Sequence, residues 1–461
     1  MLRNKQFFLH HDLLIALPFY DDVAYLGDLY DQRHPMQLTS PAELATFAQG
    51  CQDQSTTAVA PSRLISIWEI TQWILPMAPE HLRRVLAAEP HLPQGMTGTE
   101  GGTRWFTPAD VATLRLHFAT GRRQRRYLTN RPAGCQAAVI ALAGPQGASG
   151  RSSSLIHLAT AAALAGLRVL MIDADPAGRL AAAYGLPAEG AGVMALLGQT
   201  AAVQLRRLNE ARLDRGEAPL AMAESLARAL ATPLPDLIRP TVWPGLDLLA
   251  AGPDLMQADL QILSWRAGLR GWQPWQALAA GLQTEGLRDL YDLILIDTGR
   301  GLGPLALAAL NAAEILLAPI PLHTDPQHMA ALNALGLGLT ALGQAVADQQ
   351  AEAAMTARAL GQLLPEATRP WQRLLVLPVR ATAATATQAS GFAAKLGAAL
   401  LPNPLPELAV LATGQMRNFY DLDYRDLGRQ DYGPLRQACQ DGWTGFASVL
   451  QQHWAAQGKL V

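Results

Sequence analysis

A turn rich in glycine and serine, Gly144 to Ser153, is the stretch whose residue types best suit chemistry. It joins an apolar run to an alanine-rich segment with helical character. Where a strand passes through small residues into a helix, backbone N–H groups and the positive end of the helix dipole meet at one point. The turn therefore predicts a site for a phosphate group.

Acidic residues end two apolar runs that come after this turn in the sequence. Asp173 and Asp175 end the run that follows the helix, and Asp297 ends the run Tyr291 to Thr298. Carboxyl ends of parallel strands lie at one edge of a sheet, where ligands bind. Each acid alone is as well explained by capping of a neighbouring helix, and the serines by capping of their own helix. Together with the turn, they favour a nucleotide site.

The turn matches the P-loop pattern G-x-x-x-x-G-K-[ST] in part. Gly150 and Ser152 fit it, whereas the first glycine of the pattern falls on Pro145 and its lysine on Arg151. The stretch resembles the deviant P-loop of ParA/MinD-like ATPases, KGGxGK[ST][ST], whose signature lysine falls on Gln146. Asp173, Asp175 and Pro176 stand where that family has an IDxDPQ-type strand end. A later segment, 236–263, is similar to a segment of plasmid-partition ParA proteins.

The resemblance implies ATP and Mg²⁺ as cofactors, with ATP bound between two subunits. It places Mg²⁺ at Ser152, Asp173 and Asp297, and catalysis at Asp175 and Arg151. The residues that it places around ATP are Gly144, Gln146, Gly147, Gly150, Arg151, Ser152, Ser153 and Arg300. Gln146 cannot supply the charge of the signature lysine, and the planar guanidinium of Arg151 is a poor substitute for an ammonium in a tight cradle. Phosphoryl transfer depends on positioning and charge, so we expect weak nucleotide binding with slow or absent turnover, in which Arg300 restores some positive charge.

Apolar strands alternate with alanine- and leucine-rich helical segments through the rest of the chain. This alternation predicts an α/β fold, a doubly wound and mostly parallel sheet with helices on both faces. We expect three parts: an N-terminal extension (1–60) without assignable chemistry, a small helical winged-helix domain (61–130) and the ATPase-type domain (131–461). A last helix is predicted from Gly442 to about Gln457, packed on the sheet domain.

The pattern within 61–130 is helix, turn, helix, hairpin and closing helix, and it resembles the MerR-like winged-helix module of plasmid-type ParA proteins. Seven arginines and one acid lie between residues 104 and 131. A local excess of this kind could neutralise DNA phosphates, although a solvated helix between domains would look the same. The predicted DNA contacts are His81, Arg83, Arg84, Arg104, Arg122, Arg123, Arg125 and Arg126.

The composition limits the other functions. The formal net charge of −2 gives no general attraction to nucleic acid, and the three cysteines have no metal or disulfide spacing. We expect no membrane association, because the N-terminus lacks a long uncharged run and Lys459 is the lone basic residue near the last helix.

The leading interpretation is a cytoplasmic, nucleoid-associated partition protein. It would bind DNA and a ParB-like centromere-binding protein, as a homodimer or a mixed dimer with an intact ParA. The alternatives are a non-hydrolysing DNA-binding transcriptional regulator that uses the fold as a dimerisation scaffold, a MinD-like membrane factor and, least favoured, an iron–sulfur reductase.

Overall fold

The fold was determined as a computed structural model, which describes most of the chain after residue 62. The described residues are 63–97, 102–120, 127–129, 131–144, 150–187, 192–299, 303–322, 371, 373–408 and 418–458, with scattered positions between 330 and 355. The predicted N-terminal extension, 1–60, lies outside them.

An N-terminal unit spans residues 63 to 118. Its elements in chain order are β1 (Ile65–Ser66), α1 (Ile67–Glu69), which continues as the π-helical turn Ile70–Ile74, α2 (Pro79–Ala88), β2 (Met96–Thr97), β3 (Arg104–Phe106) and α3 (Pro108–Phe118). Helix α2 begins at Pro79, and α3 begins directly after Thr107, whose side chain forms a capping box with Asp110. The strands pair antiparallel in the order β1-β3-β2. Two helices, a hairpin and a closing helix are thus present, and their role as a winged-helix DNA-binding domain stays a prediction.

A larger α/β unit follows. Its elements are β4 (Ala138–Leu142), α4 (Arg151–Leu164), β5 (Val169–Asp173), α5 (Arg179–Ala183), α6 (Gly192–Leu213), α7 (Glu224–Ala229), α8 (Leu234–Leu237), β6 (Ile238–Pro240), β7 (Leu246–Leu249), α9 (Ala258–Gly268), α10 (Pro274–Thr284), α11 (Leu287–Leu290), β8 (Leu293–Asp297), α12 (Pro304–Ala312), β9 (Ile315–Pro321), β10 (Arg373–Val379), α13 (Ala386–Leu396), α14 (Tyr424–Leu427) and α15 (Arg429–Gln457). Short 3₁₀ turns occur at Pro253–Gln257, Ala383–Thr385, Gly397–Ala399 and Phe419–Asp421.

The large sheet has, within the described part of the chain, the strand order β10-β9-β4-β8-β5-β7-β6. All neighbours pair parallel except the edge pair β6 and β7. Strands β4, β5 and β8 are buried at every position, as a parallel sheet covered on both faces requires. The predicted doubly wound, mostly parallel α/β sheet is confirmed.

The pleat of the strands divides the interior into two hydrophobic cores. Leu293 and Leu295 belong to the core shared with α4, α15 and the N-terminal unit. Ile294 and Ile296 belong to the opposite core, beneath α6, α9, α10 and α12. Because the first core continues into the N-terminal unit, packing crosses the predicted domain boundary at residue 130. The division into domains itself stays a prediction.

The last helix differs from its predicted extent. It begins at Arg429 instead of Gly442, although it contains Pro434. The proline removes one hydrogen bond near the helix start, and packing of Tyr432 and Arg436 in the interior compensates for it. As predicted, this helix packs on the sheet domain: Trp443, Phe446, Leu450 and Trp454 are buried.

A buried polar network fixes the N-terminal unit to α15. The Arg63 Nη2 group donates to the two carboxylate oxygens of Glu69 at 2.7 and 2.6 Å and to the Tyr432 hydroxyl at 2.8 Å. Arg63 Nη1 donates to the carbonyl of Tyr420. The Tyr432 hydroxyl donates in turn to Glu69 at 2.6 Å. The N-terminal unit is therefore held on the larger α/β unit by charged as well as apolar contacts.

Candidate nucleotide site

The site lies at the carboxyl ends of β4, β5 and β8, where the turn after β4 enters α4. Gly150 precedes the helix with φ of +83°, a left-handed conformation that suits glycine. A β-carbon there would also lie 3.4 Å from a methyl carbon of Val379. Gly144, Gly150 and Arg151 to Ser153 are described, whereas the predicted ATP contacts Gln146, Gly147 and Arg300 lie outside the described residues.

Ser152 and Asp297 are in direct contact. The Ser152 hydroxyl donates to Asp297 Oδ2 at 2.5 Å, and the backbone N–H of Gly299 donates to Oδ1 at 3.3 Å. Both side chains are buried, and Asp297 is fully inaccessible. Burial raises the pKa of Asp297 above its usual value, while the hydroxyl of Ser152 and the guanidinium of Arg151 oppose the rise. The predicted pair is thus brought together, and its chemistry suits a divalent cation.

Asp173 stands beside Asp297 in register on the neighbouring strand. Its carboxylate accepts the backbone N–H of Asp175 at 3.0 Å and that of Leu180, in the first turn of α5, at 3.2 Å. Burial and the charge of Asp297 raise the pKa of Asp173 well above its usual value. Asp173 therefore closes the turn and caps a helix, and its role as a metal ligand stays a prediction.

Arg151 turns inward and occupies the middle of the site. Its guanidinium donates to the carbonyl of Gly144, its Nη2 lies 4.0 Å from Asp175 Oδ2, and its Nε lies 3.9 Å from Asp297 Oδ1. Only 6% of the Arg151 surface is exposed. The side chain that replaces the P-loop lysine is thus engaged with the acids that the resemblance assigns to Mg²⁺ and to the attacking water.

The residues present fit a nucleotide with Mg²⁺ only in part. The left-handed Gly150, the helix N-terminus and the Ser152–Asp297 pair suit a phosphate and a divalent cation. Arg151, however, already supplies positive charge to both Asp175 and Asp297. Among the described residues, no three His, Cys, Asp or Glu side chains converge closely enough to hold a metal ion by themselves. A cation here would depend on the serine hydroxyl and on the ligand's own oxygens.

Two supporting residues were not predicted to contribute to the site. Thr298 donates its hydroxyl to the carbonyl of Leu142 at 2.9 Å, which ties β8 to the end of β4. Gly299 has φ of +69°, and a β-carbon there would lie 3.1 Å from the Asp175 Cα atom. A glycine two residues after a strand-end acid was the available signal.

The predicted DNA-contacting residues are only partly described. Arg83 and Arg84 are exposed on α2, opposite the buried Leu82 and Leu86, whereas His81 and Arg104 are half-buried. The predicted contacts Arg122, Arg123, Arg125 and Arg126 lie outside the described residues.

Two other arginines between residues 104 and 131 make contacts within the protein instead. Arg115 is buried and donates to the carbonyls of Ile74 and Tyr127. Arg131 Nε lies 3.2 Å from Asp292 Oδ1. The excess of arginine that could face DNA is therefore smaller than the count between residues 104 and 131 indicates.

The part of the chain that holds the site is similar to known proteins. A protein-family model described as an AAA domain matches residues 137–335. The "Putative replication protein A" of Rhizobium rhizogenes is 27% identical over 256 residues, which are 54% of this chain and 55% of that protein. The "Chromosome-partitioning ATPase Soj" of Thermus thermophilus is 31% identical over 182 residues, 39% of this chain and 53% of that protein. Over the matched residues, the chain is similar to ParA and Soj proteins named for chromosome partitioning.

The match to these ParA/MinD-like proteins is confined to part of each. The chain spans about half the length of the curated relatives it matches. A solved structure of a "Partition Protein" aligns with 85% of this chain and 98% of its own length, at 18% identity and a TM-score of 0.49. No helix among the described residues combines the length and apolar character needed to cross a membrane.

Proposed function

We propose that this chain is a DNA-segregation protein of the plasmid or chromosome partition type whose nucleotide hydrolysis is weakened or lost. It binds DNA through the N-terminal unit, dimerises through the ATPase-type domain with a second copy or with an intact ParA, and meets a ParB-like centromere-binding protein. It acts in the cytoplasm at the nucleoid. Similarity to relatives named for chromosome partitioning supports the general role.

The observation that carries the loss of turnover is the inward Arg151. In phosphoryl transfer, cations must lie where charge develops on the transferred group. The Arg151 guanidinium instead contacts Asp175, Asp297 and the Gly144 carbonyl. Withdrawing it would leave two buried carboxylates without their nearby positive charge, which is costly. Gln146 supplies no compensating charge, so we expect weak nucleotide binding and turnover far below that of an intact ParA.

Nucleotide binding and hydrolysis by the full chain test this proposal. We expect a fluorescent ATP analogue to bind weakly, with little change on adding Mg²⁺, and phosphate release to stay near background with DNA present. The variant Gln146→Lys/Arg151→Lys restores both lysine positions and should release phosphate at least about tenfold faster, since a tenfold change requires only about 1.4 kcal/mol of barrier. Arg207→Lys, on the exposed face of α6, is the matched control. Wild-type turnover equal to that of the double variant would show that hydrolysis is not weakened.

The same geometry favours a second candidate function. A site whose carboxylates are neutralised by the protein's own side chain can keep its fold without nucleotide. The chain would then be a non-hydrolysing DNA-binding transcriptional regulator that uses the ParA fold as a dimerisation scaffold. Turnover stimulated by DNA and a ParB-like partner would exclude the regulator. Unchanged dimerisation and DNA binding in the absence of any nucleotide would favour it.

A further inference from the structure

A cavity of about 150 Å³ lies where the N-terminal unit meets α4 and α15. Its lining includes Trp73 from the turn after α1, Arg115 from α3, Thr129 from the connection to β4, and Arg436 and Gln440 from α15. The carboxyl-terminal end of α4 closes one side. Among the described residues that line the cavity, two are arginines and none is acidic. The lining is therefore positively charged.

Arg436 is buried with incomplete hydrogen bonding. It is 1% exposed, and its Nε has no hydrogen-bond partner among the described residues. Its Nη1 donates to Gln440 Oε1 at 3.3 Å, and the rings of Trp73 and Tyr420 lie 5.5 and 4.8 Å from its Cζ. These contacts leave the charge of Arg436 without a hydrogen-bonded anion among the described residues.

The acid nearest to Arg436 is already engaged elsewhere. Glu69 Oε1 lies 3.9 Å from Arg436 Nε, whereas both oxygens of this carboxylate accept Arg63 and Oε1 also accepts the Tyr432 hydroxyl. One carboxylate thus faces two buried guanidinium groups. The network retains an excess positive charge at the edge of the cavity.

Arg115 brings a second buried charge to the same cavity. It donates to the carbonyls of Ile74 and Tyr127 and has no carboxylate partner among the described residues. Burial alone lowers the pKa of Arg115 to about 10. The adjacent end of α4 is capped, because the Ala161 carbonyl accepts the N–H of Ala165 at 2.9 Å and the Ala165 carbonyl accepts that of Thr129 at 3.1 Å. Its helix dipole therefore competes little with a bound anion.

Buried charges are normally paired, because removing an isolated ion from water costs several kcal/mol. Guanidinium groups bind phosphate oxygens in a bidentate manner. A cavity of about 150 Å³ holds a ligand of benzene size, which admits a phosphate group but not a whole nucleotide. We propose that this cavity binds a small phosphate-type oxyanion between Arg115 and Arg436, and that the bound anion clamps the N-terminal unit to the ATPase-type domain.

Calorimetric titration of the full chain with inorganic phosphate, at constant ionic strength, tests the cavity. Because the turn before α4 also suits phosphate, a variant must separate the two sites. Gln440→Glu places a carboxylate beside Arg436 and supplies the anion internally. We expect at least a tenfold loss of phosphate affinity at this site and a higher unfolding temperature without phosphate. Gln452→Glu, exposed on the same helix, should bind phosphate as the wild type does.

A second pair of variants separates phosphate binding in the cavity from phosphate binding at the nucleotide site. Arg115→Gln should also lose the phosphate-dependent rise in unfolding temperature, whereas Arg151→Ser, at the nucleotide site, should keep it. This comparison does not depend on the proposed partition function. A phosphate response that survives in both Gln440→Glu and Arg115→Gln, or no saturable response in the wild type, would overturn the proposal. Titration with methyl phosphate, compared with inorganic phosphate, distinguishes a phosphomonoester from a free anion as the ligand. Tighter binding of either ligand supports the site and identifies the class of ligand that the cavity prefers.

Discussion

At the carboxyl edge of the sheet, the carboxyl group of Asp173 is buried beside Asp297, and this environment changes its proton affinity. Its pKa in the folded protein lies well above 3.8, whereas in the unfolded chain it is near that value. The folded state therefore binds this proton more tightly. The resulting stabilisation is complete below about pH 4 and is lost as the pH rises through the folded-state pKa.

The variant Asp173→Asn isolates this contribution. The free energy of unfolding of the wild type, relative to that of Asp173→Asn, should fall as the pH rises above about 4 and level off above the folded-state pKa of Asp173. A constant offset of about 1–3 kcal/mol is added because the amide offers one acceptor oxygen where the carboxylate offers two. Urea unfolding at several pH values measures both terms, and Asp214→Asn, at an exposed position, is the control. A difference that does not change with pH would mean that Asp173 titrates normally.

The sequence predicted the positions of the site residues better than the directions of their side chains. Ser152 and Asp297 meet as expected, because the strand–turn–helix pattern and parallel pairing fix both. The direction of Arg151 could not be predicted, since it depends on acids that lie far away in sequence. The buried contacts of Arg115 could not be predicted either. A run of arginines indicates positive charge but not which guanidinium donates to buried carbonyls.

Helix packing on the far face of the sheet depends on a close approach of α6 and α10. Gly281 is buried in α10, and a β-carbon there would lie 3.0 Å from the backbone carbonyl of Leu196 and 3.2 Å from its Cβ. Gly281→Ala should destabilise the protein by about 1–3 kcal/mol through overpacking, despite the helix propensity of alanine. Gly268→Ala, at the exposed end of α9 with open space around it, should be neutral or stabilising by up to about 1 kcal/mol. Thermal unfolding compares the two, and equal stabilities would argue against the tight helix contact.

At the level of elements, continuous apolar runs and capping residues made the sheet strands and helix starts predictable. Strand β8 and the Thr107–Asp110 capping box are examples. The start of α15 was not predictable, because Gly433 and Pro434 indicate a break that burial of Tyr432 and Arg436 overrides. Helix propensity is a local property, whereas this helix is held by tertiary contacts.

Across the whole molecule, the N-terminal unit and the ATPase-type domain share one core, which the sequence did not predict. The residues that join them, Arg63, Glu69, Tyr432 and Arg436, are separated by more than 350 positions. Their pairing could not be inferred from local patterns. Because the two units are held together by buried groups, a ligand on one can influence the other without a flexible hinge between them.

The DNA binding that we propose for this joined molecule depends on the exposed face of α2. Leu82 and Leu86 hold the helix on the core, so Arg83 and Arg84 can be replaced with little loss of stability. If both contact phosphates, Arg83→Gln/Arg84→Gln should weaken binding to DNA of any sequence. It should also reduce the slope of log affinity against log salt by nearly two, because each phosphate contact contributes about 0.9. The matched control, Arg206→Gln/Arg207→Gln, removes the same charge from an exposed face of α6. Fluorescence anisotropy between about 50 and 200 mM salt measures both slopes. Equal slopes for the two variants would show that charge on α2 acts only through the general field and not through direct phosphate contacts.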